Sequence, residues 1–217
     1  MNISQKENCR LKGMLSCSNL SHIVHQGLSL IKDVEKRKRP ISLVDTLMSG
    51  FAVFSLKYPS LLQFNNHYEE VIKDNLNTVY KIDKVHSDIQ MRERLDELEP
   101  EKVRKTCKEL FAQCQRSKHL ELFKCHDNRY LAPLDGTGYF YSKEVHCEHC
   151  CEKKHSDSTI GYYHLMLSGG IVHPEQKVVL AFAPEAIMKL VGPTKNDCER
   201  RSAERFLEYL KREHPQP

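Results

Sequence analysis

Two groups of side chains in the second half of the chain could do chemistry: one carboxylate, Asp135, and a cluster of cysteines and histidines at 146–155. Asp135 follows a strand-like run, Tyr130–Leu134, and precedes a Gly136-Thr137-Gly138 turn. An acid at the end of a buried strand, backed by flexible glycines, is a common way to present a metal ligand. Asp-Gly is also a frequent turn pair, so a plain turn residue is the alternative interpretation of Asp135.

The cysteine and histidine cluster has the spacing Cys-x2-Cys-x4-His at Cys147, Cys150 and His155, which matches three quarters of a zinc knuckle. Structural zinc binds four sulfur or nitrogen ligands. The fourth ligand would fall at position 160, which is isoleucine, so Cys151 and His146 are the candidates to replace it. A reduced loop that faces solvent between strands is the alternative.

The other cysteines and histidines give weaker signals. His164 and His173 are predicted to be packing or turn residues rather than ligands. A cysteine nucleophile needs one thiol of lowered pKa oriented by a separate base, and no cysteine is singled out in this way. The nine cysteines, the lack of a signal-peptide core and the lack of an apolar run of about 20 residues predict a cytoplasmic protein with free thiols and no membrane span.

The first half of the chain is predicted to be helical. After a loose arm at 1–17, apolar residues recur at helical spacing in about five segments of residues 18–127. Proline ends the first segment at Pro40 and the second at Pro59, where a short turn begins. A capping box at Ser87 opens the fourth segment, and Pro100 occupies the first turn of the fifth.

Two basic groups in this half are candidates for contacts with the DNA backbone. The net charge is +4, and all of the basic excess lies before residue 129. Short helices joined by tight turns can dock on DNA, although an ordinary helical bundle has the same pattern. A solvated helix end is the alternative for the first group, because basic residues suit a helix C-terminus. The groups are Lys36, Arg37, Lys38 and Arg39, and Arg92 and Arg94.

From residue 128 the apolar period becomes that of strands. Strands are expected at Tyr130–Leu134, at 162–172 and at Val178–Ala183, with a turn at Pro174–Lys177. A last helix is expected to begin at a capping box near Thr194 and to end at His214. The predicted fold class is therefore α+β, a helical domain followed by strand-strand-strand-helix. The inner face of the last helix is predicted to carry Cys198, Ala203, Phe206, Leu207 and Leu210.

Five strings of this sequence together resemble bacterial insertion-sequence transposases of the DDE class. The resemblance implies that 128–217 is the first part of an RNase H-like catalytic domain with a Cys/His-rich insert at 146–155. It implies that 18–127 binds double-stranded DNA at element ends, and that Asp135 is the first of three acids that hold Mg²⁺. The strings are LMSGFAVFSLKYPSLLQF (47–64), HSDIQMRERLDEL (86–98), LDGTGYFYSKEVHCEHCCEKKH (134–155), YYHLMLSGGIVHP (162–174) and TKNDCERRSAERFL (194–207).

The chemistry of such transposases explains why three acids are needed. Two divalent ions activate a water or a DNA 3′-hydroxyl and stabilise the leaving oxygen. The resemblance places the second acid on a strand after the last helix, and the sequence ends before such a strand. Asp197 and Glu199 open the last helix, where the helix dipole favours acids anyway. We therefore expect a truncated transposase that does not cut DNA by itself.

Two further expectations follow from this interpretation. A sheet without its next strand exposes an edge, so self-association into a homo-oligomer is expected of the second half. The alternative function is a non-enzymatic DNA-binding module, zinc-stabilised or not, that occupies element ends.

Overall fold

The computed structural model describes residues 13–33, 40–188 and 197–214. The chain divides into two compact units, a helical one at Met1–Lys118 and one built on an antiparallel sheet at His119–Pro217. The predicted α+β class is confirmed, whereas the RNase H-like assignment stays a prediction. Among the described helices, none is both long and apolar enough to cross a membrane.

The helical unit has six described α-helices, four of them capped by a serine. The hydroxyls of Ser16, Ser42, Ser60 and Ser87 each accept a hydrogen bond from the backbone N–H three residues later, which satisfies a donor that the helix leaves unpaired. Two π-helical turns, Tyr68–Ile72 and Leu76–Tyr80, flank the short fourth helix. The helices are α1 (Cys17–Ser29), α2 (Leu43–Ser55), α3 (Leu61–His67), α4 (Lys73–Asn75), α5 (Asp88–Asp96) and α6 (Pro100–Arg116).

The predicted helices opened by Ser87 and Pro100 are both present. One prediction in this unit is wrong. The turn expected after Ser60 is the first turn of α3, because the Ser60 cap starts a helix there. Helix α1 begins at Cys17, the last residue of the segment predicted as a loose arm, because Ser16 caps it. The apolar faces of these helices meet in one core around Met48, Phe64, Leu76 and Met91, all fully buried.

One long strand organises the sheet unit. Strand β3 (Ile160–Ile171) pairs antiparallel with every other described strand. Leu165 of β3 pairs with Gly138 on one side and with Ile187 on the other, so β3 lies in the middle of the sheet. The remaining strands are β1 (Leu134–Ser142), β2 (Cys151–Lys154), β4 (Leu180–Ala181) and β5 (Glu185–Ile187).

The strand predictions were correct for β3 and only partly correct elsewhere. The turn after β3 is present and is closed by the bond from Gln176 N–H to the His173 carbonyl. The expected third strand shrinks to Leu180–Ala181, and β2 and β5 were not predicted. The first strand begins at Leu134 rather than ending there, so the Asp-Gly-Thr-Gly segment is not a turn. Pairing with β3 outweighs the local turn preference, since Asp135 lies opposite Ser168.

Helix α7 (Glu199–Glu213) covers one face of this sheet. It begins later than the predicted Thr194, which lies outside the described residues, and the residue before it is Cys198. Phe206 is fully buried against Leu167 and Ile187, and Gly169 leaves room for its ring. The predicted inner face is confirmed for Ala203, Phe206 and Leu210, whereas Leu207 and Cys198 are exposed.

A charged network fixes the start of α7 to β5. Arg205 donates to Asp197 Oδ2 at 2.6 Å and to Glu185 Oε1 at 2.8 Å. Ser202 and the Cys198 N–H also donate to the Asp197 carboxylate, which is 1% exposed. Burial alone would raise the pKa of Asp197, but the hydrogen bonds from Arg205, Cys198 and Ser202 and the charge of Arg205 outweigh it and lower that pKa.

Replacing Asp197 by asparagine is expected to reduce the free energy of unfolding by about 1–3 kcal/mol at neutral pH, because Arg205 loses one of its two charged partners. The folded pKa of Asp197 is lowered, so this stabilisation is present above the ordinary carboxyl pKa and is lost as pH falls through the folded value. Urea unfolding from pH 7 to acid should show the difference from the wild type shrinking below about pH 4. The control is Glu208→Gln on the exposed face of α7; a difference that stays constant in acid would contradict the assignment.

Candidate metal centre

Three side chains of the sheet unit converge on one point. Cys147 and Cys150 lie on a tight turn between β1 and β2, in which the Cys150 N–H donates to the Cys147 carbonyl at 3.2 Å. His164 lies on β3 opposite Phe140. Its Nε2 is 3.4 Å from the Cys147 Sγ and 3.2 Å from the Cys150 Sγ, and the two sulfur atoms are 3.8 Å apart. This group could hold a metal ion.

A bulge in β1 places two aromatic rings against His164. The register with β3 shifts between Gly138 and Phe140, which leaves Tyr139 as the extra residue. The Tyr139 ring stacks on the His164 ring with centroids 5.7 Å apart and planes at 12°. Phe140 contacts the same imidazole, with centroids 5.6 Å apart. The two aromatic rings hold the imidazole while its Nε2 faces the sulfur atoms.

The electrostatics of the group suit a cation. Burial, followed by the positive charge of His149, lowers the pKa of His164, so the ring is neutral at pH 7 and a lone pair is available. Burial and the neighbouring Cys147 raise the pKa of the Cys150 thiol. Burial also raises the pKa of Tyr139, and the charges of the two thiolates raise it further. A bound metal would favour the thiolate form of both cysteines and so offset the cost of burying that charge.

The other ligands predicted from the cluster do not join this group. His155 lies against the Tyr141 hydroxyl, 3.1 Å from its Nε2. Cys151 is fully buried, and its thiol donates to the Ile187 carbonyl. The His146 ring stacks on Tyr162 at 4.2 Å. Strand β2 begins at Cys151, so pairing with β3 carries Cys151 and the following His155 away from the turn.

The member of this group that the sequence did not indicate is His164, which was predicted to be a packing or turn residue. It lies 14 residues after Cys150, at the point of β3 that passes the cysteine turn. The available signal was the strand pattern of 162–167, which indicated a neighbouring strand with a histidine near its middle. The position of the cysteine turn over that strand depends on the bulge at Tyr139, which the sequence does not reveal.

Asp135 is exposed and is the second residue of β1, paired with β3 rather than placed on a turn. Alternate side chains point to opposite faces of a strand, and Leu134 packs against the α7 core, so Asp135 faces away from α7. Glu199 lies beside Gly136 on the α7 face. Asp135 belongs to no group of three metal-binding side chains among the described residues. The described residues therefore do not by themselves complete the three-acid Mg²⁺ centre that the resemblance implies.

The basic residues predicted to contact DNA differ in their surroundings. Lys36, Arg37, Lys38 and Arg39 lie outside the described residues. Arg92 is exposed on α5, as a contact with DNA would require. Arg94, by contrast, is only 3% exposed, which disfavours a contact with DNA, and it donates to Asp33 Oδ2 at 2.8 Å and to Glu97 Oε2 at 3.2 Å. Arg94 therefore ties α5 to the segment after α1.

Replacing Arg94 by alanine is expected to lower the free energy of unfolding by about 1–3 kcal/mol, because a buried ion-paired side chain is lost. Arg92→Ala, two residues earlier and exposed, is the matched control and should change it by less than about 0.5 kcal/mol. Urea denaturation followed by circular dichroism measures both. If the Arg94→Ala variant kept wild-type stability but bound DNA more weakly, Arg94 would be a DNA contact and not a structural residue.

Comparison of the chain with protein-family models, with curated proteins and with solved structures finds no match. No family is therefore assigned to it. The similarity of its strings to transposases stays a prediction.

Proposed function

We propose that this chain acts in DNA transposition as a cytoplasmic protein similar to DDE-class transposases, binding double-stranded DNA at the ends of a mobile element. The proposal is supported by the five strings named above, which cover both units. The observation that carries it furthest is the place of Asp135, the residue that the resemblance makes the first acid. Its carboxylate is exposed on a strand paired to a long central strand, with a helix packed on the opposite face.

The resemblance assigns Asp135 a role at Mg²⁺ beside a phosphodiester. Magnesium binds oxygen ligands and often takes one or two carboxylates together with a phosphate. DNA could thus complete a site that Asp135 alone does not make. Arg92, exposed on α5, and the basic run at 36–39, outside the described residues, are the proposed contacts with the DNA backbone.

The chain is expected to bind a fluorescent DNA duplex with an affinity that falls as salt rises, because basic side chains displace counterions. If Asp135 shares Mg²⁺ with a phosphate, Mg²⁺ should strengthen binding by the wild type relative to Asp135→Asn. Glu199→Gln is the matched control, since that acid lies on the opposite face of the same strand. Fluorescence anisotropy with and without Mg²⁺ measures all three proteins.

The same proteins also distinguish the possible outcomes for the proposed function. No duplex binding at low salt would overturn the proposal. We expect no nicking of supercoiled plasmid by the chain alone, since Asp135 belongs to no group of three candidate metal ligands among the described residues. Nicking that disappears in Asp135→Ala would show instead that the chain holds a complete set of acids.

A second candidate function is a non-enzymatic DNA-binding module. It is favoured by the convergence of Cys147, Cys150 and His164, whereas Asp135 belongs to no such group among the described residues, because cysteine and histidine ligands are typical of structural metal sites. Such a module would occupy element ends without cutting them. It predicts DNA binding with the same Mg²⁺ response in the wild type and in Asp135→Asn.

We propose zinc as the metal of this cluster in either function. Thiolate sulfur and imidazole nitrogen suit zinc, whereas Mg²⁺ prefers oxygen. The described residues fit it, because two sulfur atoms and a nitrogen already lie within a few ångströms of one another. Bound zinc would tie the cysteine turn to the central strand.

Protein purified without a histidine tag is expected to contain one zinc per chain by elemental analysis. His164→Ala should lose most of it, whereas His155→Ala, the ligand suggested by spacing alone, should keep it. The two variants distinguish a site that uses His164 from one that uses His155. They are matched, because both histidines belong to the sheet unit. A wild type with much less than one zinc, or loss only in His155→Ala, would contradict the assignment.

A further inference from the structure

The cluster offers three donors where structural zinc takes four. Its open side faces solvent, because Cys147 is exposed while Cys150 is 2% exposed. A fourth ligand must therefore approach from the side of the cysteine turn. Three of the nearby cysteines and histidines are held elsewhere: Cys151 by the Ile187 carbonyl, His155 by Tyr141 and His146 by stacking on Tyr162.

We propose that His149 is the fourth ligand and closes a Cys2His2 zinc site. This inference rests on the zinc proposal and adds the identity of the last donor. His149 lies inside the turn between Cys147 and Cys150, so the chain itself carries its imidazole beside the site. Its ring nitrogens lie outside the group of Cys147, Cys150 and His164, so the side chain must rotate to reach a metal held there. Two of the three donors, Cys147 and Cys150, lie within two residues of His149 in the chain.

The side chain of His149 is free to make the required rotation. It is 54% exposed, and its contact with Glu148 is 3.5 Å long and also exposed. Exposed ion pairs of this kind contribute little, so giving it up costs little. On zinc binding the two thiols release their protons to solvent, and both imidazoles bind through neutral nitrogen atoms. The doubly negative thiolate pair and Zn²⁺ then leave no net charge at the site.

A zinc site with four protein ligands would stabilise the cysteine turn. A closed site fixes four side chains from the turn and from β3, whereas a site with three protein ligands keeps a position for water or another molecule. With His149 as the fourth ligand, the zinc site is therefore structural rather than catalytic. It also holds the turn over the ring of His164, on which Tyr139 stacks.

Cobalt titration of the full chain tests the inference, because Co²⁺ reports both thiolates and coordination number by its absorption. The wild type should give thiolate charge-transfer bands and intense tetrahedral ligand-field bands. His149→Ala should keep the charge-transfer bands, bind Co²⁺ at least tenfold more weakly, and recover the wild-type spectrum when imidazole is added. His149→Cys should stay tetrahedral with about half as much charge-transfer intensity again, because a third thiolate joins two.

Two controls complete the experiment. His155→Ala and Tyr139→Phe should leave the affinity and the spectrum unchanged. A His149→Ala protein with wild-type affinity and spectrum would overturn the assignment of His149, and so would a Tyr139→Phe protein that loses the tetrahedral bands. A wild type that binds no Co²⁺, or whose charge-transfer bands survive Cys150→Ser unchanged, would overturn the zinc proposal itself.

Discussion

The pairing of β3 with its neighbours is the constraint on which the sheet unit depends. Each of the other described strands bonds to β3, and two of them have only two or three residues. Such short strands are not stable alone and exist because a long strand offers them unpaired backbone groups. The register of β3 also decides which side chains meet. His164 reaches the cysteine turn and Leu167 reaches Phe206 because alternate residues of one strand point to opposite faces.

The cysteine turn depends on this pairing in a more specific way. Its two ends are held by β1 and β2, which lie on opposite sides of β3. The turn must therefore cross the sheet, and the bulge at Tyr139 gives β1 the extra residue at that point. The Cys147 N–H donates to the Cys150 sulfur at 3.3 Å, which favours a thiolate there. A metal would thus stabilise a turn that the strands have already brought over His164.

The features that could be predicted from the sequence were those set by local patterns. The capping box at Ser87, the proline at the start of α6 and the apolar run of β3 all depend on neighbours within a few residues. The features that could not be predicted depend on distant partners. Arg94 is buried because Asp33, 61 residues earlier, binds its guanidinium. Asp135 lies in a strand because Ser168 lies opposite, although Asp-Gly favours a turn locally. The spacing of Cys147 and Cys150 was informative, but the choice of His164 over His155 required the sheet register.

The same register relates the two candidate sites to each other. Asp135 lies opposite Ser168, and His164 is four residues from Ser168 along β3. Four residues of strand span about 13 Å, and an even spacing keeps both side chains on one face. That distance is too long for the carboxylate and the cysteine cluster to share an ion, so they are separate sites. Because α7 covers the other face with Phe206, a ligand that reached Asp135 would approach the face that also carries the cysteine turn. A metal bound at the cysteine turn would then stabilise the surface beside Asp135 without taking part in reactions at Asp135.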